Sequence, residues 1–320
     1  MRSLSMPWWG RLMPRSLIAG TALLLLASSG ALALVGTEEP ASTPEAAGPI
    51  GDRLVSTNLA IDELLLALVP AERILALSVF ADDPRISNIV ESAPLVSHRV
   101  RPGASSRIEP ILALEPSAVL ISPFSAPDAE RLLRRAGVRV LRGPPIQDLR
   151  GIRAQIRWLG EALGTPEGAA ALERSLGDRL EATRAAVAGA PRPRVLLYGK
   201  GWVAGAGTVF DDLLEVAGGR NAAALDGIEG HRHISLERLF ALDPDVILHA
   251  PYSADARARP LGSEPSLDAD PRLQALRAMR SGRVHRISPR LMRSTSHHVA
   301  GAAEAIARAL HPDRFEEGSP

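Results

Sequence analysis

Two stretches of this chain repeat one another, and the distance between them limits the folds open to it. The first runs from Arg107 through Glu109 and the pair Glu115-Pro116 to Pro123-Phe124-Ser125. The second runs from Ser235 through Glu237 and Asp243-Pro244 to Pro251-Tyr252-Ser253. In both, a glutamate opens a short helix, an acidic-Pro pair ends it, and an apolar run leads to Pro-aromatic-Ser. The offset is constant, 237 − 109 = 128 residues. Solenoid repeats recur every 20–50 residues or so, so this spacing means two similar lobes instead. Two α/β lobes that face one another enclose a cleft, the usual place for a small ligand.

The patterning between the repeats fits that reading. Residues 53–58 and 74–79 read as strands ending in polar turns, and 59–69 carry helical periodicity up to Pro70. Further helices are expected over 129–136, 207–221, 272–279 and 298–310, and strands over 118–121, 138–141, 195–198 and 284–287. Alternating β and α units imply parallel sheets flanked by helices. The middle differs: 146–163 and 166–188 read as two helices with no strand between them. Thr165 stands as the N-cap of the second, with Pro166 at its first position. That helix, roughly 30 Å long, would join the lobes stiffly. The expected layout is a signal peptide at 1–33, a leader at 34–51, a first lobe at 52–145, a helical connector at 146–190 and a second lobe at 191–320.

The N-terminus addresses the chain. Arg2, Arg11 and Arg15 precede an apolar run from Leu17 to Ala27, and Ala31-Leu32-Ala33 follows as a small-x-small site. This is the pattern of a cleavable secretory signal, with an uncleaved anchor as the alternative. There is no cysteine, which excludes disulfides, thiolate metal sites and a lipid-bearing cysteine. The net charge is +1 and no basic run is interleaved with aromatics, so nucleic acid is excluded as a partner.

Several features together resemble the helical-backbone substrate-binding proteins of ABC importers for cobalamin, ferric siderophores and haem. They are the opening Val55-Ser56-Thr57-Asn58, the two repeated motifs, Ala206-Gly207-Thr208 leading to Ala217-Gly218-Gly219 and Asn221, and the late Gly282-Arg283-Val284. The resemblance covers residues 52–312. It implies two Rossmann-like lobes with parallel sheets, joined by a long rigid helix, with a ligand cleft between them. It also implies capture of a metal chelate, a corrinoid or ferric siderophore before haem, and delivery to a permease with its ATPase. One glutamate per lobe, Glu109 and Glu237, would dock on permease arginines. A monomer without cofactor or resident metal is expected, and a periplasmic sensor or scavenger is the rival role.

Ligands of parallel α/β sheets sit beyond the carboxyl ends of the strands. The side chains expected there are Asn58, Phe80, Asp82 and Phe124 from the first lobe, and Lys200, Trp202, His231, His233, Tyr252, Arg290 and His297 from the second. Phe80, Phe124, Trp202 and Tyr252 are drawn from a chain only 3% aromatic, and flat rings suit a macrocycle or a catecholate. Arg99, Arg101, Lys200, Arg290 and Arg293 could meet an anionic chelate, Lys200 being the sole lysine. His231 and His233, two apart, would share a face; the adjacent His297 and His298 would diverge by about 100° at a helix start. An enzyme is disfavoured. Gly205-Ala206-Gly207 is followed three residues on by Phe210 rather than glycine, and neither G-x-S-x-G nor H-E-x-x-H occurs. A metal-dependent hydrolase would need a convergent ligand set that the sequence does not display.

Overall fold

A computed structural model describes residues 50–101, 108–123, 125, 127–250, 267 and 270–315. The first lobe is β1 (Leu54–Ser56), α1 (Leu59–Leu68), β2 (Ile74–Ser78), β3 (His98–Val100), α2 (Glu109–Leu112), β4 (Ala118–Ile121), α3 (Pro127–Arg135) and β5 (Val140–Arg142). Its sheet has the order β3-β2-β1-β4-β5 and is parallel throughout. β1 and β4 are buried along their whole length, as strands covered on both faces must be.

Two helices follow, α4 (Leu149–Leu163) and α5 (Pro166–Ala186). Asp148 caps α4 by accepting from the Gly151 amide at 2.8 Å, so the helix starts three residues later than its apolar pattern suggested. Gly164, with φ 70°, ends it in the left-handed conformation that favours glycine. The capping expected of Thr165 is not made. Its ψ of 48° lies outside the extended range that puts a hydroxyl over the first-turn amides. Its Oγ1 has no hydrogen-bond partner among the described residues. The tight turn is held instead by the Thr165 amide donating to the Gly160 carbonyl at 2.8 Å. The helices cross so closely there that a Cβ on Gly160 would stand 2.2 Å from that of Ala169. With 21 residues, α5 is roughly 30 Å long and packs on α1 and α4.

The second lobe contains β6 (Arg194–Gly199), β7 (Trp202–Ala204), α6 (Val209–Val216), β8 (Arg220–Asn221), α7 (Ala222–Leu225), β9 (His231–His233), α8 (Leu236–Leu242), β10 (Val246–His249), α9 (Arg277–Arg280), β11 (Val284–Arg286), α10 (Pro289–Met292) and α11 (Val299–Leu310). α5 packs on α6 and α11 as well, so it touches both lobes. The repeat is visible at the level of single residues: β10 is β4 shifted by 246 − 118 = 128 positions. Glu115 and Asp243, the acids before the two prolines, both take positive φ, at 48° and 34°.

Three expectations need correcting. The second sheet is only partly parallel: β11-β10-β6 run parallel, while β7 and β9 pair antiparallel beyond β6. Lys200 (φ 50°) and Gly201 (φ 84°) are two successive left-handed residues, the requirement of a two-residue hairpin that reverses the chain. The helix expected over 207–221 stops at Val216, because Gly218 turns left-handed at φ 73° and β8 begins at Arg220. The helix expected over 272–279 is a 3-10 turn at Pro271–Leu273 and the separate α9.

The most extensive buried apolar cluster runs through the molecule, from Leu54, Ile61 and Leu64 through Ile156, Leu159 and Leu176 to Val195, Leu214 and Ile306, while smaller clusters around Val55, Val119 and Val140 and around Leu196, Leu239 and Ile247 each stay within one lobe.

Candidate functional site

The cleft forms where the first lobe's strands end. Asn58 follows β1, and its side chain accepts from the amides of Ala60 (3.0 Å) and Ile61 (3.4 Å), which caps α1. Phe80 follows β2. Together with Leu59, Ala60, Glu63 and Ile86 they line a cleft of about 380 Å³. Its opposite wall is Arg293, Ser294 and Thr295, which follow β11 and α10 in the second lobe. An apolar lining with a few convergent polar groups and a guanidinium is the make-up of a small-molecule site. Among the described residues no three His, Asp or Glu side chains group to hold a metal ion.

The remaining candidates are distributed differently. Asp82 is exposed and held by Arg99, whose Nε and Nη2 donate to it at 2.8 and 2.7 Å. Arg99 also donates to the carbonyls of Val96, His98 and Ala93, so this pair fastens the turn after β2 to β3. Lys200 is exposed at the β6–β7 turn, and Arg101 is exposed after β3. Trp202 is 55% exposed, on a strand rather than in a loop, and lies opposite His233. The two rings meet edge to face at 5.7 Å. His233 lies over Gly201 so closely that any Cβ there would fall 2.3 Å from Nε2. His231 is exposed on the same face of β9. Arg290 is exposed, and its carbonyl accepts from Asn88 Nδ2 at 3.0 Å. Phe124 and Tyr252 lie outside the described residues.

His297 and His298 do not diverge. Both lie in the turn that leads into α11, and the two rings stack 4.0 Å apart at a tilt of 37°. Burial, then His298 and Arg179, push the His297 imidazole down to about 4. Its Nδ1 has no hydrogen-bond partner among the described residues.

Two acids on α1 went unread in the sequence. Asp62 is fully buried, and burial raises its carboxyl to about 7 despite hydrogen bonds from Ser56 and from the Ser78 hydroxyl and amide. Glu63, 1% exposed, accepts through Oε1 from the Asn88 amide (3.1 Å) and Nδ2 (2.9 Å). Its Oε2 accepts from Ser294 Oγ (3.2 Å) and from Ser296 Oγ. The available signal was two carboxylates inside the run LAIDELLLALV, where apolar residues on every side imply a buried helix.

Glu109 and Glu237 are exposed at the starts of α2 and α8. The Ser235 hydroxyl and the helix-start amide hold the Glu237 carboxyl below its usual range.

A family model described as periplasmic binding protein matches residues 54–291. The chain belongs to that family. It is 24% identical over 226 residues, 66% of this chain and 67% of the relative, to an uncharacterized ABC transporter substrate-binding lipoprotein, YvrC, of Bacillus subtilis. The periplasmic heme-binding protein RhuT from Roseiflexus sp. RS-1 superposes with a TM-score of 0.67 at 26% identity, covering 82% of this chain and 99% of RhuT. A periplasmic heme-binding protein from Pseudomonas aeruginosa gives 0.65 at 29%, covering 82% and 93%. The vitamin B12-binding protein BtuF of Vibrio cholerae gives 0.63 at 20%, covering 84% and 100%. This chain is accordingly a substrate-binding component of an ABC transporter, a class that works with a permease and an ATPase. Its family and these relatives are transport proteins rather than enzymes. No helix among the described residues is long and apolar enough to cross a membrane.

Proposed function

We propose that this chain is a secreted, monomeric, non-catalytic receptor that takes a metal tetrapyrrole, haem before a corrinoid, into the cleft between its lobes and hands it to an importer. The cleft carries the reading, because residues of both lobes line it, Asn58 and Phe80 from one and Arg293 and Thr295 from the other. A flat macrocycle with carboxylate edges suits Phe80 and Ile86 on its face and a guanidinium at its rim. From the sequence alone a corrinoid or ferric siderophore came before haem. Haem moves ahead because relatives named for haem stand at 26% and 29% identity, against 20% for one named for vitamin B12. Trp202 on β7, braced edge to face by His233 on β9, supplies a second, exposed aromatic ring. The signal-like segment at 1–33 would direct export, and Glu109 and Glu237 would seat the loaded protein on the permease.

The test is titration with haemin, cyanocobalamin and several ferric siderophores, followed by visible absorbance and thermal unfolding. A ligand at 100 times its Kd adds about 2.7 kcal/mol of stability. Haemin is expected to raise the melting temperature most, with a perturbed Soret band. A shift with siderophores alone would overturn the tetrapyrrole reading and leave the transport class standing.

A further inference from the structure

We infer that Glu63 is a positioning residue that sets the lobe-to-lobe geometry at the floor of the cleft, and so fixes where Arg293 and Thr295 stand before any ligand arrives. This rests on the cleft being the ligand site. The observation is one network with a carboxylate at its centre. Both Asn88 donors belong to the first lobe, while Ser294 and Ser296 belong to the second, 231 and 233 residues along the chain from Glu63. The bridge is doubled, because Asn88 Nδ2 also donates to the Arg290 carbonyl across the lobes at 3.0 Å. The second-lobe segment is itself stiffened. Ser294 Oγ and Ser296 Oγ are 3.1 Å apart, the Ser296 amide donates to Ser294 Oγ at 3.3 Å, and the His298 amide donates to Ser296 Oγ at 3.3 Å. Arg293 and Thr295 flank Ser294 in this segment, and both line the cleft.

The chemistry favours positioning over ligand contact. Four donors converge on the two oxygens, about the full acceptor capacity of a carboxylate, so Glu63 lines the cleft with little left to offer a ligand. It also favours positioning over plain stability. Its neighbours Leu64 and Leu65 are fully buried and show that the helix can present an apolar side chain to its surroundings. Replacing a buried charged network by well-packed apolar residues is often neutral or stabilising. A carboxylate held by four directed bonds instead admits one arrangement of the segments it joins, where apolar surfaces can slide.

The absence of cysteine makes the test direct, since any introduced pair is unique. Leu95 on the first lobe and Leu225 on the second are 69% and 51% exposed. Spin labels on Leu95→Cys and Leu225→Cys report the distance between lobes by pulsed dipolar spectroscopy, with no ligand present. The expected result is a narrow distribution in that parent, broadened or split by Glu63→Ala and narrowed again by Glu63→Gln, which keeps the shape and one acceptor oxygen. Haemin affinity should fall about tenfold in Glu63→Ala and recover with the distance. The pair Ser294→Ala and Ser296→Ala removes the second-lobe donors and leaves Glu63 with Asn88. It should broaden the distribution in the same way, and it serves if Glu63→Ala fails to fold. Distances unchanged in a folded variant would overturn the inference. If the parent binds no haemin, the proposed ligand fails, while the distance comparison still decides the role of Glu63.

Discussion

The Asp62 carboxyl offers a test whose sign and size follow from its surroundings. Burial raises it from its ordinary value of 3.8 to about 7 in the folded protein. As pH rises, the unfolded chain gives up this proton first. The group's contribution is therefore fully present below 3.8 and is lost as pH climbs through about 7. The loss runs at up to about 1.4 kcal/mol per pH unit and totals about 4 kcal/mol. Between pH 5 and pH 8 the share at stake is about 2–3 kcal/mol. Asp62→Asn keeps an oxygen to accept from the Ser78 amide and cannot ionise. Denaturant unfolding of parent and variant at pH 5, 6, 7 and 8 measures the effect as a difference. That difference matters because His297 and His298 are held neutral by burial and tilt the parent's own profile the opposite way, yet are common to both proteins. The variant should gain on the parent by about 2–3 kcal/mol from pH 5 to pH 8, roughly 5 °C in Tm. A difference that stays flat with pH would refute a neutral buried carboxyl and the dominance of burial over its three hydrogen bonds.

Other outcomes follow from single contacts. Gly160→Ala should gain about 1 kcal/mol of helix propensity and lose more to the 2.2 Å approach of Ala169, for a net loss of roughly 1–2 kcal/mol in denaturant unfolding; a stabilised variant would contradict the packing. Trp202→Ala should leave stability within about 0.5 kcal/mol, because the ring is 55% exposed, and weaken haemin binding about tenfold; unchanged affinity would remove the hairpin from the site. Glu109→Lys with Glu237→Lys should abolish uptake in reconstituted membranes and leave ligand binding intact; normal uptake would end the docking role.

What the sequence disclosed was whatever recurs or lies close along the chain. The repeat located β4 and β10 residue for residue, and apolar period with Pro and Gly punctuation located α1, α4 and α5. The antiparallel part of the second sheet, β7 turning back on β6 and β9 beside it, escaped. β7 and β9 have three residues each, too few for an alternation to register, and Lys200-Gly201 reads as a turn only when both residues are known to be left-handed. At the cleft, Asn58 and Phe80 were legible because they follow strands. The pairing of Glu63 with Ser294 and Ser296 was not, since more than two hundred residues separate the partners and no local pattern marks them. The stacking of His297 on His298 departs from the expected divergence because both belong to the turn before α11 and not to the regular helix, to which steps of about 100° apply.

The apolar cluster that passes from β1 through α4 and α5 to α11 has a consequence for how the chain comes apart. Lobes with separate interiors could melt one after the other and could be produced separately. Here Leu176 and Leu180 of α5 belong to the same interior as Leu64 and Ile306, and each lobe keeps only a smaller cluster of its own, so neither half has a complete inside. Folding should be one cooperative event for the whole described body, and a cut between α4 and α5 should yield two insoluble fragments rather than two half-receptors.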